Sequence, residues 1–255
     1  MARDTGFDDI ADAFEAEIYG TSKGYVRLSV LWEDMLSAMP EIEPGGLSVL
    51  DAGGGAGHVA VRLAALGNHV LLGDPSGHML AKASERIERQ GVGERVSTLL
   101  STIDELPQHV SDRFDLVTCH AVLEWLGEPR AAVGALGELV KPGGKLSLMF
   151  YNRNAAVLKR FLRGEFSDEP PSGPPTPLDE ADVSGWLTDA GLRVVSRAGI
   201  RIFHDHLPAE TVRARVEELL EVEKRFRSVE PFASLGQHIH LVCERGERLE
   251  GRRAT

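Results

Sequence analysis

From about residue 5 to residue 38, apolar positions recur with the period of an amphipathic helix, interrupted once at Tyr19-Gly20-Thr21-Ser22. Pro44-Gly45-Gly46 closes that region. Beyond it the pattern changes to short continuous apolar runs alternating with amphipathic ones. The apolar runs predict strands at 47–51, 69–74, 96–100, 114–119 and 145–151. Helices fit between them at 58–66, ending at Gly67, at 75–89, with Gly91 as the stop, and at 129–140, before a turn at Lys141-Pro142-Gly143-Gly144. Strands that are apolar throughout, with helices between them, imply an α/β fold whose parallel sheet is covered on both faces.

The rhythm breaks at 169–177, EPPSGPPTP, where five prolines impose an irregular loop. Alternation resumes too soon for a domain linker. A helix is expected at 179–190, with Asp179 as N-cap, Val183, Trp186 and Leu187 facing inward, and Gly191 as the stop. An extended run at 192–203 follows, then a helix at 209–227 with Val212, Val216, Leu219 and Phe226 on one face, and a closing strand at 238–243. This reads as one domain over 1–255: a helical cover at 1–44, a core at 45–151, a second half with insertions at 152–245, and a charged tail at 246–255 that is expected to fray.

Composition narrows the class. The chain has 255 residues, 42% of them apolar, ordinary for a folded globule. No run of about 18 apolar residues occurs, so no membrane span is expected. MARDTGFDDIADAF has neither a basic nor an apolar signal region, and Cys119 and Cys243 make no disulfide framework. A reduced, cytoplasmic setting is the expectation. No metal is expected either, because no Cys-x-x-Cys or similar cluster is present. The net charge of −11 argues against a general nucleic-acid coat and leaves room for a local basic patch.

The chemistry begins at 50–60, LDAGGGAGHVA. A strand, a glycine turn and a helix start present backbone N–H groups to a ligand. The dinucleotide pattern G-x-G-x-x-G fails, because its third glycine would be His58 or Ala60. Asp51-Ala52-Gly53-Gly54-Gly55-Ala56-Gly57 instead resembles the D/E-x-G-x-G-x-G motif of class I methyltransferases that use S-adenosylmethionine. Asp74 ends the next strand, where a carboxylate can accept both ribose hydroxyls or cap the helix after it. After the third strand comes Thr102-Ile103-Asp104-Glu105-Leu106, and His120 stands at the exit of the fourth. The resemblance implies a Rossmann-like class I methyltransferase sheet, mostly parallel, of seven strands with the last antiparallel.

More particular words lie outside that core: FDDIADAF, IYGTSKG, HAVLEW, LSLMFYN, GIRIFHDHL and EPFASLGQHIH. Together they resemble the bacterial tRNA 5-carboxymethoxyuridine methyltransferases, the CmoM/SmtA family, over roughly residues 7 to 243. The resemblance implies esterification of a carboxylate on the wobble uridine of a tRNA anticodon loop, with S-adenosylmethionine as cofactor. It puts Arg27, Asp51, Gly53, Gly54, Gly55, Asp74, Ile103, Asp104 and His120 against that cofactor.

A carboxylate is already an anion near neutrality, so methyl transfer to it needs placement rather than a general base. Arginine suits such an acceptor. Candidates on the substrate side are Tyr151, Asn152 and Arg153, then Lys159, Arg160 and Arg163, and Arg197, Arg201, His204 and His206. Residues 159–163 can equally be a solvated helix face. Trp125, Tyr151, Phe203 and Phe232 are possible stacking platforms for bases, with Trp125 more simply a core residue. His204 and His206 flank Asp205 without a third ligand nearby. The alternatives are a methyltransferase for a small metabolite, such as a carboxylic acid or quinone precursor, which the acidic charge favours, and a non-catalytic binding module.

Overall fold

The computed structural model describes residues 20–167 and 173–246. The helix expected at 5–19, part of the proline-rich loop and the tail from 247 lie outside the described residues. Seven strands form one sheet: β1 Ser48–Ala52, β2 His69–Asp74, β3 Val96–Leu100, β4 Phe114–His120, β5 Val140–Tyr151, β6 Leu192–Ile200 and β7 His238–Arg245. Their order is β3-β2-β1-β4-β5-β7-β6. The first five are parallel, and β7 runs antiparallel to both β5 and β6. The chain lays β2 and β3 on one side of β1, then crosses to β4 on the other. That switch opens a crevice at the carboxyl ends of β1 and β4.

The helices are α1 Ser22–Ala38, α2 His58–Ala65, α3 Gly77–Gln90, α4 Leu106–His109, α5 Pro129–Leu139, α6 Arg153–Leu162, α7 Glu180–Asp189, α8 Ala209–Ala214 and α9 Val216–Phe226. Successive strand residues point to opposite faces and build two cores. Val49, Leu116, Met149 and Val242 pack with α1, α2 and α3. Leu50, Val117, Leu148 and Leu241 pack with α5 and α7 on the other face. Helix α1 lies over β6 and α9, so the amino-terminal cover closes the β6 side of the sheet.

Local chemistry shifts several expected boundaries. Helix α3 starts at Gly77 and not at residue 75, because the Ser76 hydroxyl caps it by accepting from Met79 N at 3.0 Å. Lys141-Pro142-Gly143-Gly144 is not a separate turn: it is a bulge inside β5, where pairing jumps from Phe114↔Val140 to Leu116↔Lys145. The expected helix at 209–227 breaks at Arg215, whose φ of −136° and ψ of 34° leave the helical region. The extended run expected at 192–203 ends with β6 at Ile200, because Arg201 has a φ of +59°. Cys119 and Cys243 are buried free thiols.

Two backbones cross at the end of β6. A Cβ on Gly199 would stand 2.3 Å from the Ala233 carbonyl oxygen, and one on Gly236 would stand 2.7 Å from Gly199 Cα. Glycine is required there because backbone cannot yield as a side-chain tip can. Gly199→Ala is expected to lower the unfolding free energy by about 3 kcal/mol. Gly185→Ala, exposed in the middle of α7 with nothing within 4 Å of the added methyl, is expected to raise it by about 0.5–1 kcal/mol. Urea unfolding of both variants checks this; a Gly199→Ala protein as stable as the parent would mean that the crossing opens without cost.

Candidate active site

The glycine turn after β1 is shaped first by the protein itself. Gly53, Gly55 and Gly57 have φ of +67°, +53° and +76°. A Cβ on Gly54 would meet Asp51 Oδ2 at 2.7 Å, and one on Gly53 would meet Val122 Cγ2 at 2.6 Å. The N–H groups of Gly53 and Gly54 donate to the Gly73 carbonyl at 2.8 and 3.2 Å, which fastens the turn to β2. Asp74 completes the clamp. Its Oδ2 accepts from Gly55 N at 2.8 Å and its Oδ1 from Ser76 N at 2.9 Å. Asp74 is therefore not the cap of α3; its carboxylate joins the glycine turn to the approach of that helix.

Around this clamp the strand ends hold buried polar atoms with no hydrogen-bond partner among the described residues: Asp51 Oδ2, Thr102 Oγ1 and His120 Nδ1. They stand in or just beyond β1, β3 and β4. Asp51 Oδ1 accepts from the Thr118 hydroxyl at 2.7 Å. Burial pushes the Asp51 carboxyl up to about 6, against the pull of that hydrogen bond. Ile103 sinks its side chain into the core, while Asp104 is exposed. Burial, with the Arg27 charge nearby, holds the His120 ring well below its usual pKa. Its Nε2 lies 2.8 Å from Ser147 Oγ.

Beyond the ends of β4, β5 and β6 opens a cavity of about 1040 Å³. Ala121, Glu124 and Trp125 line it after β4, Tyr151 at the end of β5, Lys159 on α6 and Arg163 at its cap, Lys23 and Arg27 on α1, and Arg213 on α8. Arg201, His204 and His238 complete its wall. Ala121 and Arg201, the non-glycine positions with positive φ among the described residues, both stand here. Arg201 is only 5% exposed. Its Nη2 donates to Asp205, and its Nε is buried without a partner. His204 holds the other Asp205 oxygen at 2.8 Å and reaches Ser22 Oγ at 3.0 Å. Burial opposes the charge on Asp205, but His204 and Arg201 hold its carboxyl well below the usual range. Behind them the Glu223 carboxylate of α9 accepts from the backbone N–H groups of Ile202, Phe203 and His204 at 2.6, 2.9 and 2.9 Å. That grip fixes the backbone on which Arg201 is carried.

The structure reassigns several sequence candidates. Asn152 is 1% exposed: its amide donates to the Ser234 and Gly236 carbonyls at 2.9 and 2.8 Å and caps α6 through Asn154 N at 3.0 Å. Its side chain is engaged as a structural tether, and it does not line the cavity. Arg153 is exposed at the start of α6 and does not line the cavity. Arg197 is taken up by Glu180 and Glu230, and His206 points out. Phe203 and Phe232 pack edge to face with Phe226, at centroid distances of 5.7 and 4.9 Å to that ring, and line no part of the cavity. Trp125, expected in the core, is half-buried on the cavity wall.

Glu124 and His238 were not singled out from the sequence. Glu124 is 3% exposed and burial pushes it up to about 7, while burial and nearby Arg27 and Arg201 keep His238 well below its usual range. Only the segments HAVLEW and GQHIH marked them. Among the described residues no group of three or more His, Cys, Asp or Glu side chains is placed to hold a metal ion, and no helix is long and apolar enough to cross a membrane.

Comparison with known proteins places this geometry. A family model described as a methyltransferase domain matches residues 50–146. The tRNA 5-carboxymethoxyuridine methyltransferase of Escherichia coli K12 is 37% identical over 254 residues, covering 95% of this chain and 97% of that protein. A ubiquinone biosynthesis O-methyltransferase of Xanthomonas axonopodis pv. citri is 31% identical over 62% of this chain and 68% of its own. Among solved structures, the magnesium protoporphyrin IX methyltransferase of Synechocystis PCC 6803 with bound S-adenosylhomocysteine superposes with a TM-score of 0.65, at 20% identity, covering 94% of this chain and 96% of that one. At that identity the likeness concerns the fold.

Asp51 gives a test on stability. Its folded-state pKa of about 6 lies above the ordinary 3.8, so proton uptake favours the folded state at low pH. That contribution is complete below about 3.8 and is lost as pH rises through about 6. Asp51→Asn removes the ionised form and is expected to raise the unfolding free energy at pH 7.5 by about 1–3 kcal/mol. The gain should fade towards pH 4 in urea melts. A gain that does not depend on pH would mean that ionisation of Asp51 is not its source.

Proposed function

This chain belongs to the tRNA 5-carboxymethoxyuridine methyltransferase family, and from that premise we propose that it methylates the carboxylate of 5-carboxymethoxyuridine at the wobble position of the tRNA anticodon loop. When bound, S-adenosylmethionine supplies a methyl group on a positively charged sulfonium centre. The strand ends fit such a group. The buried unpartnered atoms of Asp51, Thr102 and His120 await a polar ligand, and the turn at Gly55 is open, with no atom nearer than 3.9 Å to an added Cβ. We assign Gly53, Gly54 and Gly55, Asp74, Ile103, Asp104 and Arg27 to the same ligand. In this reading residues 45–151 carry the cofactor and residues 152–245 the substrate, within one domain.

The acceptor carboxylate has no proton to lose, so the chain has no base to supply. Its residues hold and exclude. The observation that carries the reading is Arg201, a guanidinium almost fully buried, with Nε unpartnered, on a strained backbone at the wall of the cavity. Such a group suits a carboxylate. Tyr151 and Trp125 offer faces to an extruded base. Lys23, Lys159, Arg163 and Arg213 ring the cavity from three helices and answer the phosphates of the loop, despite a net charge of −11. The ubiquinone relative favours a small apolar acceptor, but a buried arginine would then face the acceptor with no anion to hold. A tRNA substrate puts the reaction in the cytoplasm.

Incubation with tRNA carrying 5-carboxymethoxyuridine, followed by nucleoside mass spectrometry, is expected to yield the methyl ester and to leave tRNA without that carboxylate unmodified. Methylation confined to a small quinone precursor would overturn the proposal. In the same assay Arg201→Ala should lower kcat/KM for tRNA about 10–100-fold, the scale of a hydrogen bond to a charged group. Calorimetric affinity for S-adenosylmethionine should stay within about twofold, since a residue on the substrate side makes none of that ligand's hydrogen bonds; equal losses would remove Arg201 from the substrate side.

Glu124 adds a pH dependence. Below about 7 it is protonated, and above that it ionises beside an anionic acceptor. The kcat/KM for tRNA is expected to fall as pH rises past that point, and Glu124→Gln should flatten the decline. An unchanged profile in the variant would put the titration elsewhere.

A further inference from the structure

A hydrogen-bonded chain that the proposed transfer does not use crosses the sheet behind His120. Asp34 Oδ2 of α1 lies 2.7 Å from His240 Nδ1 of β7. His240 Nε2 lies 2.7 Å from Ser147 Oγ of β5, and Ser147 Oγ lies 2.8 Å from His120 Nε2 of β4. The two imidazoles meet edge to face with centroids 5.8 Å apart. Ser147 and His240 are fully buried and Asp34 is 4% exposed, which leaves water no place in the chain. The far end, His120 Nδ1, is buried and has no hydrogen-bond partner among the described residues.

The hydrogens can be followed along it. Burial works against the charge on Asp34, but His240 and Arg227 keep its carboxyl below the usual range, so it only accepts. His240 Nδ1 must then carry a proton. If His240 carries only the proton that Asp34 fixes on Nδ1, its Nε2 is a lone pair, and only the Ser147 hydroxyl can donate to it. Ser147 Oγ, having given its hydrogen, accepts from His120 Nε2. Burial keeps His120 neutral, so its single proton is on Nε2 and Nδ1 is bare.

We propose that Asp34, His240 and Ser147 are positioning residues that lock His120 in the Nε2–H tautomer, so that Nδ1 offers a lone pair to a donor group of the sulfonium cofactor, its ammonium or a ribose hydroxyl. This rests on the cofactor reading given above. The donor groups in question are shared by S-adenosylmethionine and S-adenosylhomocysteine, so the relay acts on both alike. A bare charge effect would separate them, because only the first carries the sulfonium.

The test has two independent readouts. In protein with ¹⁵N-labelled histidine and no cofactor, the His120 ring resonances are expected to show Nε2 protonated and Nδ1 bare, with the two tautomers mixed in Ser147→Ala. By calorimetry, Ser147→Ala is expected to weaken both S-adenosylmethionine and S-adenosylhomocysteine about 5–20-fold, the range of one hydrogen bond. His120→Asn presents an amide oxygen near the Nδ1 position without needing the relay. In that background, Ser147→Ala should cost less than about twofold, because the two sites act through one interaction. Equal loss in both backgrounds, or a protonated Nδ1 in the parent, overturns the inference while leaving the cofactor reading intact. A parent that binds neither ligand overturns both. The tautomer measured on the parent needs no variant to fold.

Discussion

A buried hydrogen-bonding atom without a partner costs about 1–3 kcal/mol, and this fold gathers such atoms along one edge. Elsewhere the chain satisfies its backbone with carboxylates. Asp74 takes the N–H groups of Gly55 and Ser76, Glu223 takes three in succession at Ile202, Phe203 and His204, and Asp115 takes Ser48. At the carboxyl ends of the strands and on the cavity wall the accounting stops short. Asp51, Thr102, His120, Glu124, Arg201 and His238 each keep a buried atom unpartnered. The contrast separates groups already engaged in holding the site from atoms still without a partner, although a carboxylate such as Asp74 has lone pairs left for a ligand. The fold tolerates their cost in one crevice, at the topological switch of the sheet.

The same edge explains how a chain of net charge −11 can receive an anionic polymer. Acidic residues lining the cavity are either paired with cations or pushed towards the neutral form. Asp205 is taken by Arg201 and His204, and Glu124 is pushed up to about 7 by burial. What faces outward around the opening is lysine and arginine from α1, α6 and α8. Much of the negative charge lies on solvated faces, in pairs such as Arg193 with Glu244 and Arg215 with Glu218. Exposed pairs of that kind contribute little to stability; here they leave the field at the mouth of the cavity to its own cations.

The centre of the sheet was legible because β1 and β4 are buried almost throughout, and the exposed edge strand β3 because turns bound its apolar run. Strands β2 and β3 run over the expected residues, and Asp74 stands where the motif puts it. What the pattern could not carry was interaction at a distance. Asn152 reads as a strand-end ligand until its amide is found on the Ser234 and Gly236 carbonyls. Arg197 and Arg201 look alike in the sequence, yet one pairs on the outside with Glu180 and Glu230 while the other is turned inward by a left-handed backbone. The break at Arg215 is hidden because apolar spacing continues through it from Val212 to Val216. The relay from Asp34 to His120 joins four elements whose residues lie up to 206 positions apart, and no local period links them.

The arrangement around Arg201 also bears on rate. Methyl transfer from a sulfonium to a carboxylate destroys two charges, so both fade in the transition state. A site that gripped the carboxylate with every available cation would stabilise the reactants more than the transition state and slow the step. Arg201 is instead shared: Asp205 takes up Nη2 and part of its charge, while Nε stays unpartnered. Neutral His120 and His238 add no further positive charge beside the reacting groups. In the proposed reading, binding of the tRNA is left to Lys23, Lys159, Arg163 and Arg213 at the mouth, which would meet phosphates and act equally before and during the reaction. In the same reading, orientation is left to the tethered Arg201 guanidinium. The buried acid–base pairs that weaken this site as an anion trap are the ones that suit it to a reaction in which the anion disappears.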